Sequence, residues 1–477
     1  MAPNVVLIVL DTARADAFEP YGAPTGASPV VADLARRGVH VPAAIAPANW
    51  TLPSHASMFT GLLPRQLGLG QAPGGKPANC RPYLEAHADR FLPEVLRRAG
   101  YATSAVSTNL WISPWSGFGT GFDRFEEVSS GRAEQIHDNT PLVRARWALE
   151  AIRARVDDGA TEVERIIEGW IADAPEQPFF WFVNLVECHS PYLPPRPYND
   201  LGPWQRLRAA EDARRHLTLS EIWKGSAGGY DVPEPTIDRM RHLYARSIRS
   251  MDDWLERLLA SLDGNGLLED TIVIITSDHG ENLGEGYRLG HAFWLDDRLI
   301  HVPLVVSGPG LTDLPEVVSL TDLPRLLAEA IGLASHPWAD SAGAHDGVAV
   351  AQSDALVPIG DDRIQQSLEV WNMTGEAARY AAWRLSTSGT AATDGAWKLV
   401  REGDDDWLYD LANDPLEAAP IRVDGAATGI DPVRLHALAA GVERAAPSAD
   451  DPRHWSGPDL PDERDGIEDR MRLLGYL

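Results

Sequence analysis

Residues 5–16 read Val5-Val6-Leu7-Ile8-Val9-Leu10-Asp11-Thr12-Ala13-Arg14-Ala15-Asp16. The opening run has no polar face and is rich in β-branched side chains. It therefore reads as a strand covered on both sides, as in the interior of a parallel sheet. It stops at an aspartate. Two more runs have the same form: 179–186, ending in Glu187-Cys188-His189, and 271–276, ending in Ser277-Asp278-His279. Helical patterns occupy 30–37, 91–99, 140–171 and 237–262, and Gly38 and Gly100 supply stops for the first two. Further strands are expected over 101–107 and 302–306. Strands alternating with helices predict an α/β fold, doubly wound around a mainly parallel sheet.

Near residue 350 the texture changes. Short alternating segments over 379–386, 397–401 and 407–411, separated by Gly and Asp, predict a smaller C-terminal antiparallel α+β subdomain over 351–430. Residues 1–350 form the main domain. Residues 431–477 read as an acidic, Pro-rich tail with a terminal helix near 467–474. The stretch 193–235, rich in Pro, Arg and Trp and without a period, reads as an excursion that covers a site.

The 477 residues carry 42 Lys plus Arg against 69 Asp plus Glu, a formal net charge of −27. A surface that acidic argues against nucleic acid or an anionic membrane as partner. Two cysteines, Cys80 and Cys188, supply neither a disulfide framework nor a metal cluster. The apolar N-terminal run is too short to span a membrane and has no basic leader, so the chain reads as cytoplasmic, with no membrane segment.

Residues 49–61, Asn49-Trp50-Thr51-Leu52-Pro53-Ser54-His55-Ala56-Ser57-Met58-Phe59-Thr60-Gly61, read as a loop turning into a short helix. Thr51 suits the N-cap, Pro53 the first turn and Gly61 the stop. Free N–H groups and the helix dipole there favour an anion. Asp11, Glu187 with His189, and Asp278 with His279 follow apolar strands, and in an open α/β sheet such strand ends share one edge, where ligands bind. Two carboxylates and an imidazole can hold a divalent cation. With the Thr51 hydroxyl as a further ligand, such a cation activates that hydroxyl as a nucleophile.

The chain resembles the sulfatase family of the alkaline phosphatase superfamily. The resemblance rests on 5–16 (VVLIVLDTARAD), 51–61 (TLPSHASMFTG), 189–195 (HSPYLPP), 277–284 (SDHGENLG), 289–291 (LGH) and 302–310 (VPLVVSGPG), in that order. In the tail, Trp397-Lys398-Leu399 and Leu408-Tyr409-Asp410-Leu411 before Asp414-Pro415 look like that family's C-terminal subdomain. The resemblance implies an alkaline phosphatase-like sheet and a sulfatase-like catalytic domain over 1–350. It implies Asp11, Asp278 and His279 as metal ligands, with Thr51 facing the metal from the nucleophile position. His189 would contact the ester oxyanion or protonate the leaving group, and His291 is a second general-acid candidate. His55 stands where many members place an arginine. Thr108 and Asn109 fall where the family reaches the substrate oxyanion. Arg14 is expected to brace Asp11 or Asp16, and Trp50, Trp294 and the segment around Trp204 are expected to line the substrate pocket.

Two departures bear on chemistry. Family sulfatases oxidise Cys or Ser at the nucleophile position to formylglycine, whereas oxidising the secondary alcohol of Thr51 gives a ketone. Threonine is the nucleophile in related nucleotide phosphodiesterases and lipoteichoic acid synthases. Thr12 stands where many sulfatases carry a second acidic ligand. Fewer carboxylates and one imidazole favour one Mn2+ or Zn2+ over Ca2+ or Mg2+, and no second ligand set accompanies Glu187. The expectation is a metal-dependent hydrolase of sulfate or phosphate esters, leaning to phosphoesters. Its substrate would be a small anionic ester: a sulfated or phosphorylated sugar, a lipid headgroup or an aryl ester. The alternatives are a phosphoryl transferase to a glycan or lipid alcohol, and an inactive anion-binding homologue.

Overall fold

The computed structural model describes residues 2–69, 80–129, 140–310, 313–339, 344–357, 360–424 and 429–445. A seven-stranded sheet organises the larger part. Its strand order is Val39–His40, Leu304–Ser307, Thr271–Thr276, Asn4–Leu10, Phe179–Leu185, Ala102–Ser107, Arg124–Glu127. The last five run parallel to one another. Leu304–Ser307 is antiparallel to both strands beside it, which makes the sheet mainly parallel.

The central strand explains why the sheet is covered twice. Val6, Ile8 and Leu10 point into one core, shared with the helices Ala160–Ala172 and Glu234–Gly264. Val5, Leu7 and Val9 point into the other, shared with the helices Thr51–Thr60, Leu92–Arg98 and Leu323–Ala330. Every residue of Asn4–Leu10, Phe179–Leu185 and Thr271–Thr276 is buried. The doubly wound α/β architecture is the one expected. Because these strands are parallel, Asp11, His189, Asp278 and Asn109 all emerge at one edge.

A six-stranded antiparallel meander follows: Ala344–His345, Val348–Ser353, Gly389–Thr393, Trp397–Glu402, Asp405–Asp410 and Ile421–Arg422. The division expected between residues 350 and 351 falls inside Val348–Ser353. The helix Pro432–Ala445, in the stretch expected as tail, packs Leu438 and Val442 on this sheet. Residues 467–474 lie outside the described residues.

Three local expectations are corrected. The segment 379–386 is helical, within Gly375–Leu385, and buries Ala381, Arg384 and Leu385 at helical spacing. The pattern over 140–171 is two helices, Pro141–Arg153 and Ala160–Ala172, broken where Ala154 takes φ 45° and Gly159 φ 123°. The 193–235 stretch carries its own helices, Pro203–His216 and Leu219–Lys224. Among the described residues no helix is long and apolar enough to cross a membrane.

Candidate active site

Thr51 is the first residue of its helix, not the cap. Trp50 takes the extended cap conformation (φ −156°, ψ 164°) without a side-chain cap bond. The Thr51 hydroxyl is therefore not drawn back onto the helix backbone, and its Oγ1 lies 3.3 Å from His279 Nε2. Ser54, one turn on, ties the helix to the sheet by donating to the Asp278 carbonyl at 2.5 Å.

Asp11, Asp278 and His279 come together as the sheet requires, with ligand atoms within 4.8 Å of one another and all three residues buried. His279 donates Nδ1–H to the Gly280 carbonyl at 2.9 Å, which leaves Nε2 as a free lone pair. That nitrogen is 3.4 Å from Asp278 Oδ2 and 4.0 Å from Asp11 Oδ1. Those two carboxylate oxygens are buried and have no hydrogen-bond partner. Their other oxygens are held: Asp11 Oδ2 accepts from Asn109 Nδ2 at 2.7 Å, and Asp278 Oδ1 from the N–H groups of His279 (3.0 Å) and Thr12 (3.3 Å).

The electrostatics of Asp11 agree with a missing counter-charge. Burial, then the nearby Asp278 carboxylate, pushes Asp11 up to about 6. Burial works against ionised Asp278 as well, but His279 and His55 hold it below the usual carboxylate range. Burial pushes His279 down to about 4, so it is neutral near pH 7, the form that ligates metal. Asp11 Oδ1, Asp278 Oδ2 and one neutral imidazole nitrogen are a donor set that fits a divalent cation of borderline hardness.

The other histidines divide into two groups. His55 is fully buried behind Thr51, with Nδ1 3.0 Å from the Thr51 carbonyl and 3.4 Å from Asp278 Oδ2. Asn184 donates to its Nε2 at 3.2 Å. His55 thus props the Thr51 segment from below. His189 and His291 lie beside the candidate metal ligands, with ring centroids 5.3 Å apart, and the His291 ring centroid is 4.5 Å from that of His279. His291 Nδ1 meets Glu281 Oε1 at 3.1 Å. Burial opposes its charged form, but Glu281 outweighs burial and raises its pKa. His189 donates Nδ1–H to the Ser190 carbonyl at 3.1 Å, leaving Nε2 free.

Thr108 and Asn109 sit at this edge but have their polar groups committed elsewhere. The Thr108 hydroxyl donates to the Asn184 carbonyl (3.3 Å) and accepts the Val186 N–H (2.9 Å). Asn109 holds Asp11 with its amide and the Trp111 N–H with its Oδ1, so it orients a candidate ligand rather than reaching outward. Arg14 pairs with Asp16 and Glu285. Glu187 accepts from the Ala160 N–H at 2.6 Å, and burial with Asp158 and Asp157 pushes it up to about 8. Trp204 is 81% exposed, whereas the Trp294 ring meets the guanidinium groups of Arg288 at 3.4 Å and Arg384 at 3.9 Å. Glu281 and Asn184 were not singled out from the sequence. The signal for Asn184 was present: it is the lone strongly polar residue in an otherwise apolar strand.

A family model described as Sulfatase matches residues 3–333. A choline-sulfatase of Rhizobium meliloti (strain 1021) is 24% identical over 459 residues, covering 87% of this chain and 81% of its own length. Iduronate 2-sulfatase of Homo sapiens is 26% identical over 353 residues, covering 66% of this chain and 61% of its own. Among solved structures, a phosphonate monoester hydrolase of Agrobacterium radiobacter superposes with a TM-score of 0.64 at 21% identity, covering 93% of this chain and 96% of its own. At that identity the likeness is one of fold.

Proposed function

The chain belongs to the sulfatase family, and from that premise we propose a metal-dependent ester hydrolase that uses Thr51 as its nucleophile and prefers phosphoesters to sulfate esters. The observation that carries this reading is the Thr51 hydroxyl at a helix N-terminus, 3.3 Å from His279 Nε2 and beside the unpartnered oxygens of Asp11 and Asp278. A divalent cation held by Asp11, Asp278, His279 and Thr51, with Mn2+ or Zn2+ preferred, would supply charge neutralisation and lower the pKa of a ligated hydroxyl.

The chain's own residues supply the rest. Oγ1 of Thr51 gives up its proton to water and attacks phosphorus, and the bond to the leaving oxygen breaks, giving phosphothreonine. First-turn N–H groups and the helix dipole favour the charge on the remaining phosphoryl oxygens. His291, held by Glu281 through Nδ1, presents Nε2 to protonate the leaving oxygen, and His189 stands beside it as the alternative donor. Water then cleaves the phosphothreonine. His55 keeps the Thr51 carbonyl and Asp278 in place beneath.

Threonine favours phosphorus for a chemical reason: it cannot yield the aldehyde on which family sulfatases depend. That a phosphonate monoester hydrolase shares this fold supports the same direction. The substrate class is a small anionic ester. The test is a comparison of kcat/KM for an aryl phosphate diester, an aryl phosphate monoester and an aryl sulfate, with Mn2+- or Zn2+-loaded protein. A phosphoester is expected to exceed the sulfate by 10-fold or more, about 1.4 kcal/mol in barrier; turnover dominated by the sulfate would overturn the preference.

A further inference from the structure

Four arginines are buried among the described residues: Arg14, Arg206, Arg298 and Arg384. Three are ion-paired, Arg14 with Asp16 and Glu285, Arg298 with Asp296, and Arg384 with Glu402. Arg206 differs. It is 7% exposed, on the helix Pro203–His216, and its guanidinium has no hydrogen-bond or ion-pair partner among the described residues. Its Nε is sealed from solvent. A sealed N–H donor without a partner is costly, because the water it gave up is not replaced.

Arg206 lines a cleft between its own helix and Pro141–Arg153, walled by Trp147, Val156 and Leu193. Asn199, 3% exposed, lines the same cleft with Oδ1 unpartnered. Glu150 is the acidic residue of the lining, and its carboxylate is taken by Arg146 at 3.0 Å. The free space, about 30 Å3, holds two or three water-sized groups at ~10–15 Å3 each. A carboxylate head fits that space.

We propose that this cleft is an anion site separate from the catalytic centre, which binds the carboxylate of a small organic acid on Arg206 and Asn199. A guanidinium matches a carboxylate with paired N–H donors, and the Asn199 carboxamide adds one more when it turns to present Nδ2 rather than Oδ1 to the bound oxygen. The apolar walls suit a short aliphatic chain better than a doubly charged tetrahedral ion. None of the proposed catalytic residues lines the cleft, so the site stands or falls apart from the Thr51 chemistry.

The test is the melting temperature of the full-length, metal-loaded protein titrated with sodium propionate against sodium chloride at equal ionic strength. Sodium sulfate forms a parallel arm. The wild type is expected to rise saturably, by about 2 °C at tenfold above the half-saturating concentration. Arg206→Gln, which removes an unpaired charge, is expected to melt no lower in chloride and to lose the propionate response. Asn199→Leu is expected to weaken propionate binding at least fivefold and keeps the test open if Arg206→Gln folds poorly. Equal propionate responses in wild type and Arg206→Gln would place the binding elsewhere and overturn the proposal. So would a response to sulfate alone, or no response in the wild type.

Discussion

The proposed chemistry turns on a single hydroxyl. Thr51 occupies the first helical position rather than the cap, so its side chain is free of the backbone and faces His279. Thr51→Ala is therefore expected to lower kcat by 10³-fold or more while leaving the melting temperature within about 2 °C, and Thr51→Ser to keep measurable turnover; steady-state kinetics and thermal melts check both. Glu281 tunes His291, the proposed proton donor. Its carboxylate lowers the cost of charge on His291, which raises the imidazole pKa. A general acid is lost as pH rises through its pKa, so Glu281→Gln should move the basic limb of the kcat profile to lower pH. Glu187 carries a different signature. Its carboxyl is pushed from 4.5 up to about 8 on folding, so the folded state holds a proton the unfolded state releases. Stability should fall as pH rises from about 4.5 to 8, and Glu187→Gln should flatten that slope in denaturant titrations.

At the scale of elements, what was legible followed from burial on two faces. Asn4–Leu10, Phe179–Leu185 and Thr271–Thr276 are uniformly apolar, leaving no choice of face, and the polar residues after them had to share an edge. Asp11, Asp278 and His279 were readable for that reason. The helix Gly375–Leu385 was not, because Tyr380, Trp383 and Leu385 among alanines and arginines mimic alternation, while Ala381, Arg384 and Leu385 set the helical buried face. The break after Arg153 was written in Asp157-Asp158-Gly159: Asp157 takes the Gly159 and Thr161 N–H groups as the next helix starts. Contacts across elements, such as Asn109 on Asp11 and Asn184 on His55, depend on side-chain direction and had no periodic signal. Asn109→Ala should leave Asp11 less firmly oriented and weaken Mn2+ affinity about 10–100-fold by isothermal titration.

The whole molecule is held together by charge as well as by cores. Lys398, fully buried in the small sheet, donates to the Leu295 carbonyl at 2.8 Å and pairs with Glu417. Arg298 of the large domain lies 3.7 Å from the same Glu417, and Arg65 reaches across to Asp354, Thr390 and the Gly389 carbonyl. Removing one partner of such a buried set leaves the others unpaired, so Lys398→Met is expected to cost ~3–5 kcal/mol in denaturant unfolding. The loop bearing Leu295 also bears His291 and Trp294, so the small subdomain backs the wall of the active site. The central claim concerns Thr51, and its most direct test is mass spectrometry of metal-loaded protein, acid-quenched during turnover of an aryl phosphate diester. A phosphoryl adduct on the peptide carrying Thr51, absent without substrate and absent in Thr51→Ala, is the predicted result. Sustained turnover with Thr51 unmodified, or full activity in Thr51→Ala, would contradict the account.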